Sequence, residues 1–367
     1  GKSFKVVTSP DYQTPQFAHD DIRGMKIISS KDMYLATDGG VFHSTDQGNS
    51  WVDLSGKGLT AMQIYGIHGL GENEFIMGTQ DMGYFLYTDG DWSHLGRYYG
   101  DGGDAFQTTK KTYVLIGGRV RQLDNENLDK SKRVHPSGGN PFIAKFEAFP
   151  NAQDSFFYVG NDLWLHNGEK WLRKTNNLNK SDYLMLGFDV NRKNPSQLLI
   201  SYDQPTWDTK ELINKFFKSE DGGSSWSDIT ANLPIQAWRH ITAISSSDAD
   251  PNEIIVSLGR NDEDVIHKSY ISKDGGLSWT NYSEGLPPYE TFAIQHINNG
   301  STGVIISTLK GLYYRNNGMD AWVPLSGDID PIVIRDFEID AKNRILSAGT
   351  YGRGFWQMKI PKKMLEY

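Results

Sequence analysis

Apolar residues fall along this chain in short runs separated by polar turns rich in Gly, Asp and Asn. Between Asp20 and Leu54 the runs are Ile22–Ile28, Met33–Thr37, Val41–Ser44 and Val52–Leu54, with Asp38, Gly39 and Gly40 dividing the second from the third. Such short runs, rich in β-branched and aromatic residues and bounded by turn residues, predict strands. The order returns as Phe75–Thr79 then Tyr84–Tyr87, as Tyr113–Ile116 then Arg119–Leu123, and as Phe156–Val159 with Gly160 to Asp162 after it. We read eight units, at 20–56, 62–96, 103–136, 142–178, 182–234, 237–288, 291–331 and 333–361, the last completed by 3–9. Repeats of about forty residues with four strands apiece specify a β-propeller. The expected fold is therefore all-β and a single domain: one propeller of four-stranded antiparallel blades. It has eight blades, or seven if the third unit is a long connection. The lone strand Phe4–Thr8 is expected to join the C-terminal blade and close the ring, removing an open sheet edge. Thr209–Phe216 alone suggests a short helical turn.

Three units carry one octad, S-x-D-x-G-x-x-W, at Ser44–Trp51, Ser219–Trp226 and Ser272–Trp279. Its residues suit a turn. Asp46, Asp221 and Asp274 can accept backbone N–H groups within the turn. The Gly permits positive φ, and Trp51, Trp226 and Trp279 can pack between sheets. Copies spread around a ring cannot converge on one substrate, so the octads read as structural.

These octads resemble the Asp boxes, or bacterial neuraminidase repeats, of sialidases, family 74 xyloglucanases, sortilin-type receptors and photosystem assembly factors. That resemblance covers essentially the whole chain and implies a propeller. Asp38-Gly-Gly40, Gly78-Thr-Gln-Asp81, Gly100–Asp104 and Gly349–Trp356 are similar to secreted glycosyl hydrolase-like propellers of Bacteroidetes-type bacteria. The resemblance implies a carbohydrate-active protein. A sialidase is disfavoured, because no Arg-Ile-Pro segment occurs and Asp21-Ile-Arg23 does not replace it. A family 74 enzyme sets its acids between two propellers, and this chain reads as one.

Composition narrows the classes. Of 367 residues, 38% are apolar and 12% aromatic, enough for a large core. A net charge of −8 without dense Lys/Arg patches argues against nucleic acid. No apolar run approaches membrane-spanning length. The absence of cysteine excludes disulfides and thiolate metal sites. Because Gly1-Lys-Ser-Phe4 does not read as a natural start, a signal sequence is expected to have been removed. The expected location is extracellular, cell-surface or periplasmic.

Propeller topology sorts the loops. Connections between blades share one face with the turns between second and third strands, while the octads lie on the other. The first face collects Asp20, Asp21, Asp38, Asp81, Asp101 and Asp104 as candidate catalytic acids. It also collects His19, Gln80, Arg119, Trp238, Arg239, His240, Arg260, Tyr289, Tyr351 and Arg353 as candidate substrate-binding residues. Carboxylates and arginines hold sugar hydroxyls, and aromatic faces stack on sugar C–H surfaces. A glycoside hydrolase would use two of the acids, one with a raised pKa. A non-catalytic propeller would hold a glycan or a protein at the same mouth. No organic cofactor is expected. No metal site is expected, although His19, Asp20 and Asp21 could hold calcium or another metal.

Overall fold

A computed structural model describes residues 6–9, 14–54, 61–71, 73–95, 100–124, 127–137, 141, 144–176, 178, 184–204, 213–234, 240–259, 266–298, 300–325 and 332–365. It is an all-β propeller of eight antiparallel sheets, each ordered as its strands follow in sequence. The third unit is a full blade, with strands Gly102–Gln107, Thr112–Ile116, Arg119–Asp124 and Asn127–Arg133. Second strands are the most deeply buried: Phe156–Val159, Ile254–Leu258 and Val304–Thr308 are buried throughout. Being covered on both faces, they are rich in apolar residues, with Ser257, Ser307 and Thr308 the polar exceptions. Phe156 is fully buried among Phe106, Tyr113, Phe146 and Trp171. A side chain of that size contributes about 2–3 kcal/mol by burial.

The octads sit between third and fourth strands and repeat one set of bonds. In the second copy Ser219 Oγ donates to Asp221 Oδ1 at 2.9 Å and accepts from Gly223 N at 2.8 Å. Asp221 in turn accepts from Ser225 N at 2.8 Å and Ser225 Oγ at 2.6 Å. Gly223 has φ 82°, which the turn requires. The indole of Trp226 donates to Lys174 O of the preceding blade at 2.8 Å, and that of Trp51 to Val7 O at 2.8 Å. The first two octads thus fasten their blades to what precedes them, while the Trp279 ring of the third packs 5.8 Å from Phe216 of the preceding blade.

The Ser225 and Ser278 donors hold the Asp221 and Asp274 carboxyls down at about 2, and Ser50 lowers Asp46 in the same way. A depressed folded pKa contributes stability that is present above the unfolded value and is lost as pH falls toward the folded one. Melting temperature should therefore drop between about pH 4 and pH 2. Asp221→Asn and Asp274→Asn should lower it at neutral pH and shrink that acid loss. Circular dichroism melts across the range check both.

Two expectations meet different local structure. Of the Thr209–Phe216 turn, 209–212 lie outside the described residues. The rest belongs to strand Ile213–Ser219, whose pairing with Leu198–Gln204 runs on to Gln204–Ile213 and outcompetes a helical turn. Of the closing strand, residues 3–5 also lie outside the described residues. Residues 6–9 run beside the first blade instead, where Val7 O takes the Trp51 indole and Ser9 bridges Phe17 in parallel. Among the described residues the last sheet has three strands: Ile334–Asp340, Ile345–Thr350 and Phe355–Lys359.

Closure runs through the second blade. Its inner strand Ile64–Gly71 packs on Ile334–Asp340, Gln63 bridges Tyr351, and Gly352 N and Gly354 N both donate to Met62 O at 3.1 Å. Phe355 packs 4.9 Å from Phe75 and 5.1 Å from Tyr87. The first sheet flanks this seam. Leu35, Phe42 and Trp51 share a core with Met62, Met77 and Phe85, while five of the six residues in Ile22–Ile27 are exposed.

Candidate functional site at the axial mouth

Inner strands carry β-bulges near their starts, which leave Arg23, Tyr65, Leu186, Thr242 and Arg335 as extra residues. A bulge re-aims a side chain. At the seam, three of these side chains join the turns of the first and second blades.

His19, Asp38 and Asp81 meet there. His19 Nδ1 lies 3.3 Å from Asp38 Oδ1, and its Nε2 lies 3.7 Å from Asp81 Oδ1. Gly39 makes room, since a Cβ there would stand 2.7 Å from His19 Cγ. Arg23 donates to Asp38 Oδ2 at 3.1 Å. Asp81 has φ 61°, a left-handed backbone that Asp adopts more readily than most non-glycine residues. Its turn is pinned to the third blade, with Gly100 N on Asp81 O at 3.2 Å and Gly83 N on Gly100 O at 2.9 Å.

Burial raises the pKa of Asp81, and the Asp38 and Asp21 charges add to this, while His19 and Gln80 pull it back. Asp101 is raised too, by burial first and the Asp81 charge second. Two carboxyls with raised pKa values, Asp81 and Asp101, thus stand near Asp38, which is salt-bridged to Arg23. His19, Asp38 and Asp81 offer atoms within 4.8 Å of one another, and a divalent cation could engage that set. The two nitrogens of His19 face different carboxylates.

Beside them Tyr65 and Tyr351 lie 5.7 Å apart, centroid to centroid, and both donate to Gln80 Oε1. The Arg335 guanidinium is 5.1 Å from the centre of the Tyr351 ring. The remaining candidates disperse. Asp20 and Asp21 are exposed, and Asp21 reaches Asp81 only through its charge. His240 lies 3.8 Å from Asp203, further round the axis. Tyr289 lies under Lys310. Arg119 and Arg353 are exposed. Trp238, Arg239 and Arg260 lie outside the described residues.

Asp104 is not at the mouth. It lines an axial channel of about 1200 Å³ with Glu147, Asp189, Asp336 and Glu338. Four of these acids cross-link neighbouring blades. Asp104 Oδ2 accepts Phe146 N at 2.7 Å, Asp336 Oδ2 accepts Ile67 N at 2.9 Å, Glu338 Oε2 accepts Gly69 N at 2.9 Å, and Asp189 Oδ2 accepts Ser246 Oγ at 2.5 Å. They cap inner-strand donors that would otherwise face the channel unpaired. Sequence reasoning passed over Asp336, Glu338, Glu147, Asp189 and Arg23. All lie on inner strands, Ile22–Ile27, Lys145–Ala148, Leu184–Val190 and Ile334–Asp340, and polar residues on inner strands are the signal that marks them.

Burial pushes Glu338 up to about 8 and Asp189 up to about 7. His68, 3.7 Å from Glu338, is pushed down to about 4 by burial, and its Nε2 accepts Gln107 N at 3.1 Å. The ring is therefore neutral with its proton on Nδ1, and at neutral pH the contact is not an ion pair. Between about pH 4 and 8 the folded chain holds more protons than the unfolded one, so stability falls as pH rises through that window. Channel water reaches Glu338, whose side chain is 38% exposed, and softens the slope. Thermal melts from pH 5 to 9 should show a falling melting temperature, and Glu338→Gln should flatten it.

No protein-family model matches the chain, and no curated protein matches it. Solved structures do. YCF48 from Cyanidioschyzon merolae is similar with a TM-score of 0.58 at 10% identity, covering 83% of this chain and 97% of that one. YCF48 bound to D1 peptide gives 0.57 at 11%, covering 83% and 95%. An ancestral GH74 enzyme gives 0.52 at 14%, covering 92% of this chain but 53% of that one. At these identities the likeness establishes the propeller fold, and any function must be argued from the mouth itself.

Proposed function

We propose that the protein binds a carbohydrate at the axial mouth and hydrolyses a glycosidic bond there, outside the cell. Asp81 acts as general acid and Asp38 as the second carboxylate. The observation that carries this reading is their juxtaposition: oxygens of the two lie within 4.8 Å of each other, and burial leaves Asp81 disposed to keep its proton. A retaining glycosidase sets its carboxyls about 5–5.5 Å apart, an inverting one about 6.5–9.5 Å, so retention of configuration is expected. Tyr65 and Tyr351 supply an aromatic shelf for a sugar ring. The GH74 likeness is compatible with this reading.

One observation favours a second reading, a propeller that holds a ligand without turnover. The tyrosine shelf needs no acid to bind, and YCF48, of similar fold, is known with a peptide bound. A screen of plant, host and microbial glycans, run for both binding and hydrolysis on the wild type and Asp101→Asn, separates the two. Reducing-end release supports hydrolysis, and binding alone supports the second reading. Neither across all glycans ends the carbohydrate reading.

A further inference from the structure

The outer wall of the third blade carries a charge opposite to that of the chain as a whole. From Lys110 to Arg133 seven cations stand against three acids, a local charge of +4 in a chain of −8. In sequence these cations are scattered, and folding gathers four of them. Strand Arg119–Asp124 lies between Thr112–Ile116 and the outermost strand Asn127–Arg133, with Gln122 paired to Tyr113 on one side and Lys132 on the other. A groove of about 510 Å³ results, lined by Lys110, Lys111, Lys130 and Lys132 with Gln122 and Ser131. All four lysines are exposed.

The lysines are held in place by the fold. Thr108 Oγ1 accepts Lys111 N at 2.9 Å, and Thr108 N donates to Lys111 O at 2.8 Å. Thr109 N and Thr109 Oγ1 both donate to Asp154 Oδ1 of the fourth blade, at 2.9 and 2.6 Å. The Lys110–Lys111 turn is thus tied to two blades before any ligand arrives, which lowers the cost of ordering it on binding. Lys130 and Lys132 sit two places apart on one strand, about 7 Å along the backbone. Among the described residues, Lys111, Lys130 and Lys132 make no salt bridge, and Asp124 is the one acid on the groove. Like charges gathered in this way repel one another, and a bound anion relieves the repulsion.

We propose that this groove binds an acidic polysaccharide, one whose sugar units carry carboxylate or sulfate groups. The lysines meet the anions, and Gln122 and Ser131 offer hydrogen bonds to the hydroxyls between them. Among the described residues no aromatic side chain lines the groove to stack a nucleobase. Its one leucine, Leu123, is buried and gives an acidic peptide no apolar anchor. The axial mouth gathers Asp38, Asp81 and Asp101 instead and suits an uncharged sugar. The inference therefore goes beyond the proposed function and does not rest on it.

Calorimetric titration with polygalacturonate, dextran sulfate and uncharged dextran, at about 50 to 200 mM salt, tests the proposal. The first two probes separate a carboxylate-bearing ligand from a sulfate-bearing one. The chains compared are the wild type, Lys130→Gln with Lys132→Gln, Lys111→Gln, and Lys362→Gln with Lys363→Gln. That last pair is exposed on the short C-terminal helix and controls for net charge. The wild type should bind at least one acidic polysaccharide and not dextran. Lys130→Gln with Lys132→Gln should weaken binding by about tenfold or more at the lowest salt and flatten the log–log salt slope by about two. Lys111→Gln, on a different element, should flatten it by about one, and the control pair should match the wild type. Melting curves confirm the folds. No binding of either acidic polysaccharide, equal binding of dextran, or an equal loss in the control pair overturns the proposal. Tighter binding of polyglutamate or single-stranded DNA than of both polysaccharides overturns it too.

Discussion

Asp81→Asn should abolish turnover at the mouth while leaving the fold and ligand affinity nearly intact. The backbone at residue 81 is left-handed, and Asn is among the few residues that adopt it readily, so the turn survives. The amide keeps the size of the carboxyl but has no proton to give a leaving oxygen. A positioned general acid contributes about 10²–10⁴-fold, so kcat should fall by at least about 10²-fold. The dissociation constant for an oligosaccharide should move by less than about tenfold, since positioning contacts from Tyr65, Tyr351 and Arg335 remain. Because burial raises the Asp81 pKa, wild-type activity should persist above the usual carboxylate range and decline as pH rises through the raised value. Activity within a few-fold of wild type would move the acid to Asp101, the other carboxyl raised at this mouth.

The largest expected loss of stability comes from Gly78→Ala. Gly78 lies in strand Glu74–Thr79, where a Cβ would stand 1.6 Å from Gly103 O and 2.6 Å from Gly102 O. Gly102 in turn would place a Cβ 2.1 Å from Gly83 O. The second and third blades therefore meet backbone to backbone, and neither side has a flexible side chain to move aside. Overpacking of this kind costs about 3 kcal/mol or more, several degrees of melting temperature. The same contact brings Asp101 beside Asp81 through the Met82–Gly100 bridge, so the variant should also weaken their electrostatic coupling. Gly71→Ala is the matched control: nothing lies within 4 Å of its Cβ, and its effect should stay within about 0.5 kcal/mol. Scanning calorimetry of the pair checks the contrast, and equal melting temperatures would contradict the close-approach account.

The octads were legible because their bonds are local: Ser219, Asp221, Gly223 and Ser225 satisfy one another within seven residues. The blade count was legible because each unit repeats the same strand pattern. Ring closure was not, because it depends on long-range contacts of Met62 and Gln63 with Tyr351–Gly354 that no local pattern marks. Loop topology put His19, Asp38, Asp81 and Asp101 on one face, yet not in one place, since their meeting depends on how the first two blades sit against each other. Asp101 and Asp104 show the limit best. They are neighbours in sequence, but Asp101 precedes strand Gly102–Gln107 while Asp104 sits inside it, within a bulge, and faces the channel. Arg23 was hidden for a similar reason, because its bulge turns it out of the alternating pattern toward Asp38.

The central claim is that chemistry belongs to the mouth at the seam and not to the octad face. A crystal structure of Asp81→Asn with an oligosaccharide identified by the glycan screen tests it most directly. The account predicts a sugar ring against Tyr65 and Tyr351 with a glycosidic oxygen within hydrogen-bonding reach of residue 81. A ligand seated instead on the face of Asp46, Asp221 and Asp274 would contradict it.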